Sequence, residues 1–210
     1  MPNDDIISKN KRVNPPGFHH VNLKTHRQKE MIDWYCEVLR CRVNFRAEGI
    51  AFITNDSANH RIALTCADLF QDDPQWSYRI GLHHTAFEYE SLDDLLSDFL
   101  RLEAAGILPH VTIDHGLTTS FYYRDPDGNM LELQSDNFGD WAQSTQWLRT
   151  SQAFAVNPIG VLVDPQQMIA ERNAGVTVDE VHRKAYAGEY PPDREQTFFL
   201  PEEMEAAMFV

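Results

Sequence analysis

A chain of 210 residues is one ordinary domain or two small ones, long enough to bury a core without covalent staples. Its 32 acidic side chains outweigh 18 basic ones, and the formal charge of −14 repels nucleic acid and anionic lipid, so polyanion partners are excluded. No run approaches the ~18 apolar residues of a membrane span; three cysteines without metal-type spacing (Cys36, Cys41, Cys66) and a polar start with no apolar leader predict a reducing, cytoplasmic setting.

Residues 1–16 are polar, end in Asn14-Pro15-Pro16 and read as a flexible arm. Order is expected from Gly17. Residues 18–23 read as a strand and 28–39 as an amphipathic helix with Met31, Ile32, Trp34, Tyr35 and Val38 on its apolar face. Short strands then follow at 42–45, 50–54 and 60–65. The same β-α-β-β-β order returns about 64 residues later. Its strand is 82–88, its helix 92–105 stops at Gly106, and its last strands fall around 111–112, 119–123 and 130–134. His20 and His84 open the two copies, and Asp33-Trp34 takes the place of Asp98-Phe99. The predicted class is therefore α+β: two paired βαβββ repeats, about 17–66 and 81–136, that pack together and enclose a cleft.

The second copy ends on its most informative stretch, residues 115–132. Asp125-Pro126-Asp127-Gly128-Asn129 is a strong turn between the strand bearing Phe121-Tyr122-Tyr123 and the strand Met130-Leu131-Glu132-Leu133. Alternation puts Met130 and Glu132 on one face and Leu131 and Leu133 on the other. A carboxylate among apolar neighbours needs a partner, because burying an unpaired charge costs several kcal/mol or more, and a metal ion is one such partner. His20, His84 and Glu132 occupy related positions in the repeats, and two histidines with one carboxylate suit non-haem Fe(II) with positions left open. The counterpart of Glu132 in the first copy falls at about Ala63, which cannot ligate. In the doublets His19-His20 and His83-His84, the pleat is expected to send the two members to opposite faces.

Past a turn-rich link at 135–140, Asp164 and Pro165 open a short helix to Asn173, Thr177 caps another stopped by Gly188, and the end from Pro191 reads as extended. Phe154, Val156, Ile159, Val161, Val163, Phe198, Phe199 and Leu200 are too apolar for a free tail. Residues 137–210, a mixed helical and extended segment, are expected to wrap the module, cover one end of the cleft or cross to a second subunit. His26, His110 and His182 match no motif and are expected at the surface.

The run Ile113-Asp114-His115, five residues, Phe121-Tyr122, two residues, Asp125-Pro126-Asp127-Gly128, three residues, Glu132 resembles the signature of type I extradiol ring-cleaving dioxygenases. These are iron-dependent members of the vicinal oxygen chelate (glyoxalase-like) superfamily, and the resemblance, covering about residues 17–136, is to their one-module form. It implies the paired βαβββ fold and His20, His84 and Glu132 as ligands of Fe(II), or of Mn(II). His60, in Asn59-His60-Arg61-Ile62-Ala63-Leu64, matches the family's acid-base histidine, and His115 and Tyr122 match the residues that hold the oxygens of the bound substrate. The implied partners are a catecholic small molecule and O2, in a homo-oligomer. Two other readings keep the fold: a divalent-metal isomerase, epimerase or lyase, and a non-catalytic small-molecule binding protein. The family's Leu-Gly pair after the first helix is replaced by Leu39-Arg40-Cys41, so that helix must end on another cap.

Overall fold

The computed structural model describes residues 14–198, 200–201 and 203–204. Most of the expected arm and Phe199 lie outside them. The first repeat comprises β1 (Val21–Thr25), α1 (Gln28–Val38), β2 (Arg42–Ala47), β3 (Ile50–Thr54) and β4 (Ile62–Cys66). The second comprises β5 (His84–Tyr89), α2 (Leu92–Ala104), β6 (Val111–Asp114), β7 (Thr118–Arg124) and β8 (Met130–Asp136). Each repeat makes its own sheet with the same strand order, β1-β4-β3-β2 and β5-β8-β7-β6, and a short β9 (Val161–Leu162) extends the second sheet beyond β6. The registers also correspond: Asn22 lies opposite Ala63 as Ala86 lies opposite Glu132, so Ala63 is the positional counterpart of Glu132.

The two helices cover the outer faces of the sheets. Met31, Ile32, Tyr35 and Val38 of α1 and Leu92, Leu95, Phe99 and Leu102 of α2 share one apolar cluster with Ile53, Ile62, Leu64, Phe121, Tyr123, Leu131 and Leu133. Trp34 packs at the margin of this core, partly buried. Residues of the opposite pleat, including Val111, Ile113, Tyr122 and Met130, form a second cluster on the inner face of sheet two. Helix α2 starts at a capping serine, the Ser91 hydroxyl accepting the Asp94 N–H at 3.1 Å. Helix α1 ends on Leu39, and Arg40 takes φ +53°, the left-handed position that a glycine fills without strain.

Several expectations shift. The strands predicted from residues 18, 82 and 60 begin at Val21, His84 and Ile62, so His19, His20 and His83 precede the ladders and the pleat does not separate the doublets. The doublet rings touch, Nδ1 to Nδ1, at 3.1 Å for His19 and His20 and 2.8 Å for His83 and His84. After residue 140 the chain forms two helices that the sequence reading did not place, α3 (Trp141–Thr150), capped by Asp140, and α4 (Gln152–Val156), capped by Ser151. Helices α5 (Pro165–Asn173) and α6 (Val178–Tyr186) start at Asp164 and Thr177, as their caps predict. Val163, Met168, Val181, Ala185 and Tyr190 carry the extension into the main core. Among the described residues, no helix is long and apolar enough to cross a membrane.

Candidate active site

The site is built on the inner face of sheet two. Tyr122 of β7 stands directly across from Glu132 of β8, and its hydroxyl lies 3.0 Å from Glu132 Oε1. His84 opens β5, which runs parallel to β8, and its Nε2 lies 3.1 Å from Glu132 Oε2. His115 leaves β6 at the turn into β7, its N–H bonded to the Thr118 carbonyl at 2.8 Å, and its Nε2 reaches the Tyr122 hydroxyl at 3.0 Å. Four of the six expected site residues, His84, His115, Tyr122 and Glu132, thus form one connected group.

Burial and charge set the protonation of the group. Burial pushes the Glu132 pKa up, but the His84 hydrogen bond, Ser120 and the nearby imidazoles more than offset this, so the carboxylate sits below its usual range. Burial lowers the pKa of His115 despite the Glu132 charge, and burial with Glu132 raises that of Tyr122 far above an ordinary phenol. Near neutral pH the site therefore holds a carboxylate, a neutral imidazole and an intact phenol. Tyr122 has one proton for two acceptors, His115 Nε2 and Glu132 Oε1, so one of them is always open to another donor.

The donor set fits a first-row divalent ion. Two ligands at right angles, each about 2.1 Å from such an ion, stand about 3 Å apart, and the His84 nitrogen and Glu132 oxygen are 3.1 Å apart. Imidazole and carboxylate are both ordinary ligands of such ions.

The first repeat contributes a separate group. His20 lies 4.3 Å ring to ring from His60, and His60 stacks on Phe52 at 4.6 Å. Burial, then the neighbouring His20 and His19, lowers the His60 pKa. The ligating atoms of His20, His84 and Glu132 do not all come within 4.8 Å of one another, whereas those of His19, His20 and His60 do. The physical difference is local: His84 is held by ladder pairing to β8, while His20 is an exposed residue one position before β1.

The extension was expected to wrap the module or cover one end of the cleft; the particular contacts it makes were not read from the sequence. Phe198 is buried edge-to-face on Tyr122, with ring centroids 5.4 Å apart. The Ile159 carbonyl meets Nδ1 of His115. His182, expected at the surface, places Nδ1 2.7 Å from Oδ2 of the fully buried Asp114. The available signal was Asp114 itself, a carboxylate next to Ile113 and His115 at the end of β6. A cavity of about 520 Å³ runs from Lys24 and His26 past Trp76 and Asp127 to His83, and none of the four residues of the connected group lines it.

Two βαβββ units of the same strand order, the second carrying a carboxylate-histidine cluster, define a paired-repeat α+β protein. Residues 17–133 match the Glyoxalase/Bleomycin resistance protein/Dioxygenase superfamily, and the chain belongs to it. It is 42% identical over 178 residues, 85% of this chain and 93% of the relative, to "Biphenyl-2,3-diol 1,2-dioxygenase 2" of Rhodococcus globerulus. It is 37% identical over 172 residues, 82% and 90% of the two chains, to "Biphenyl-2,3-diol 1,2-dioxygenase 3" of the same organism. A glyoxylase/bleomycin resistance protein/dioxygenase domain from Frankia sp. EAN1pec superposes with a TM-score of 0.51 at 26% identity, covering 59% of this chain and 93% of that one.

Proposed function

We propose that this chain is an extradiol ring-cleaving dioxygenase that opens a catecholic ring with O2, and that His20, His84 and Glu132 hold Fe(II), with Mn(II) suited to the same donors. The reaction class follows from the two relatives. Their name puts hydroxyls on carbons 2 and 3 and breaks the 1,2 bond, which lies outside the diol. The observation that carries the reading on this chain is the connected group His84, Glu132, Tyr122 and His115, three of which stand at positions of the dioxygenase signature and the fourth, His84, at the expected ligand position of the second repeat.

When bound, Fe(II) would supply a template for the adjacent oxygens of the diol and for O2, and a path for the electrons that pass from the diol to O2. The protein's part is positional and protolytic. Tyr122 and His115 hold the substrate oxygens, with a neutral Nε2 that accepts and a phenol that donates. His60, held neutral against Phe52, takes a hydroxyl proton and returns it. Phe198, Trp76, Ile159 and Leu162 give the inner face an apolar wall that suits the second ring of a biaryl diol. Ala63 at the counterpart of Glu132 offers no fourth ligand, which favours open coordination positions over a closed isomerase site.

We further read residues 17–136 as the catalytic module and the described residues from 137 onward as an extension that completes the site. The exposed Phe18, Val43 and Phe45 of the first repeat support assembly as a homo-oligomer, and three unpaired cysteines fit a reducing, cytoplasmic setting. The test is anaerobic reconstitution with Fe(II), Mn(II) or Zn(II), then admission of air with 2,3-dihydroxybiphenyl or simple catechols. A yellow ring-fission product that needs Fe(II) or Mn(II) and is lost in Glu132→Ala is expected. No colour, no oxygen uptake and undiminished metal content in Glu132→Ala would sink the assignment.

A further inference from the structure

The imidazole of His115 is held at both nitrogens, and one of the two holders comes from the extension. Nε2 meets the Tyr122 hydroxyl at 3.0 Å, and Nδ1 meets the backbone carbonyl of Ile159. A carbonyl oxygen only accepts, so Nδ1 carries a proton. With burial holding the ring neutral near pH 7, Nε2 keeps a bare lone pair.

The Ile159 carbonyl is itself aimed by a compact turn over residues 157–160. Asn157 Oδ1 accepts the N–H of Ile159 at 3.2 Å and of Gly160 at 3.0 Å, and its Nδ2 donates to the Gly160 carbonyl at 2.8 Å. The turn lies directly on the backbone it serves. Gly160 has φ +103°, and a Cβ there would fall 2.1 Å from the Asp114 carbonyl oxygen and 2.7 Å from His115 Cα. Just beyond, β9 pairs Val161 with Asp114 and Leu162 with Ile113, which sets the turn in register with the end of β6.

We propose that Asn157 is a positioning residue: its turn fixes the Ile159 carbonyl on His115 and so selects the imidazole tautomer whose bare Nε2 faces Tyr122 and the substrate. The inference rests on the reading of His115 as a substrate-contacting residue. In the other tautomer Nε2 would carry a proton and could accept neither from Tyr122 nor from a substrate hydroxyl. Asn157 lies beyond residues 17–133, so the extension contributes to the chemistry as well as to the packing.

Two readouts test this on the full chain. The first is ¹⁵N NMR of histidine-labelled, metal-free protein, with the His115 signal assigned by its loss in His115→Gln. The second is steady-state kinetics after Fe(II) reconstitution. The wild type shows the Nδ1–H tautomer, and Asn157→Ala shifts it toward Nε2–H. Because a misaligned contact typically costs about ten- to a hundredfold, kcat of that variant falls in this range while KM changes little. Asn157→Asp keeps the accepting oxygen and restores both tautomer and most of kcat. An Nε2–H signal for His115 in the wild type overturns the proposal without recourse to any variant, and so does an unchanged tautomer in Asn157→Ala, whatever its activity. A fully active His115→Gln overturns instead the reading of His115 on which the proposal rests.

Discussion

His182 of α6 donates its Nδ1–H to Asp114 Oδ2 of β6 across 2.7 Å, and the Asp114 carboxylate is wholly removed from solvent. The same carboxylate accepts the Gly116 N–H at 2.7 Å and the Asn137 amide at 3.2 Å on its other oxygen, so Oδ2 has His182 as its partner. The pair pins the last long helix of the extension to the strand that ends on His115.

Removing that partner leaves a buried oxygen unsatisfied, which costs about 1–3 kcal/mol. His182→Ala should therefore lower stability by that amount in urea denaturation with little change in the slope. His182→Gln, which can still donate, should recover part of the loss. A change below about 0.5 kcal/mol in His182→Ala, the range of ordinary surface substitutions, would mean that water replaces the imidazole.

Tyr122→Phe isolates the hydroxyl. The ring keeps its packing against His84 and Phe198, but His115 Nε2 and Glu132 Oε1 both lose their 3.0 Å neighbour. A positioned proton donor contributes about 10²–10⁴-fold to rate, so kcat on 2,3-dihydroxybiphenyl should fall at least into the lower part of that range. Bound metal per chain should stay at the wild-type level. Loss of metal instead would show that Tyr122 acts by holding Glu132.

Much of this was legible in the sequence because repeats and turn residues are local signals. The two helices, and the hairpin at Asp125 and Gly128 that returns as the strand bearing Glu132, follow from periodicity and turn chemistry. What was not legible depended on contacts distant along the chain. His182 looks like a solvent-facing helix residue until α6 is folded back onto β6, and Ile159 acts through a backbone carbonyl, which no side-chain pattern marks. Helix α3 was missed although Asp140 stands at its start, because the turn-forming run before it dominated the reading.

Arg40 shows the converse, a departure visible in the sequence whose cost the fold reveals. A non-glycine residue in the left-handed region costs about 1–2 kcal/mol, and Arg40 sits there at φ +53°. Its compensation is a 2.9 Å bond to buried Asp98, from a side chain 67% exposed, and Asp98 also bonds Arg101 and the Tyr89 hydroxyl. Arg40 itself is mostly solvated, and Asp98 keeps Arg101 and the Tyr89 hydroxyl when it is gone, so the Arg40 bond is worth about 0–1 kcal/mol. Relief should therefore win, and Arg40→Gly should stabilise the protein by about 0.5–1 kcal/mol. Destabilisation would instead mark Arg40 as a needed counter-charge of Asp98.

Partly buried histidines set the acid side of the stability curve. His60, His83, His110 and His115 all have pKa values below the usual 6.5, burial being the first cause in each. The unfolded chain takes up protons near pH 6.5 that the folded chain does not, so stability should fall as pH drops below that point until the folded pKa values are reached. Asp125, raised by burial, works in the opposite sense but only above the ordinary carboxylate range. Urea midpoints of metal-free protein should therefore be lower at pH 5.5 than at pH 7.5, and a flat profile would show that these rings protonate in place.

The two repeats are pinned at the turn that precedes Glu132. Asp125, 5% exposed, accepts the Asn129 N–H at 2.8 Å and the Asp127 N–H at 3.0 Å on one oxygen. Its other oxygen accepts the Asn129 amide at 2.8 Å and the Tyr35 hydroxyl of α1 at 3.0 Å. The Tyr35 bond crosses from the first repeat to the second, and Arg27 adds a second crossing to Asp127. Asp125→Ala removes the turn's internal acceptor as well as the crossing bond, so it should cost several kcal/mol, whereas Tyr35→Phe removes the crossing bond alone and should cost about 1–2 kcal/mol. A double-mutant cycle separates the two effects: coupling of about 1 kcal/mol or more between Tyr35→Phe and Asp125→Ala is expected for residues in contact. Additive effects would show that the turn holds β8 and Glu132 in place without help from the first repeat.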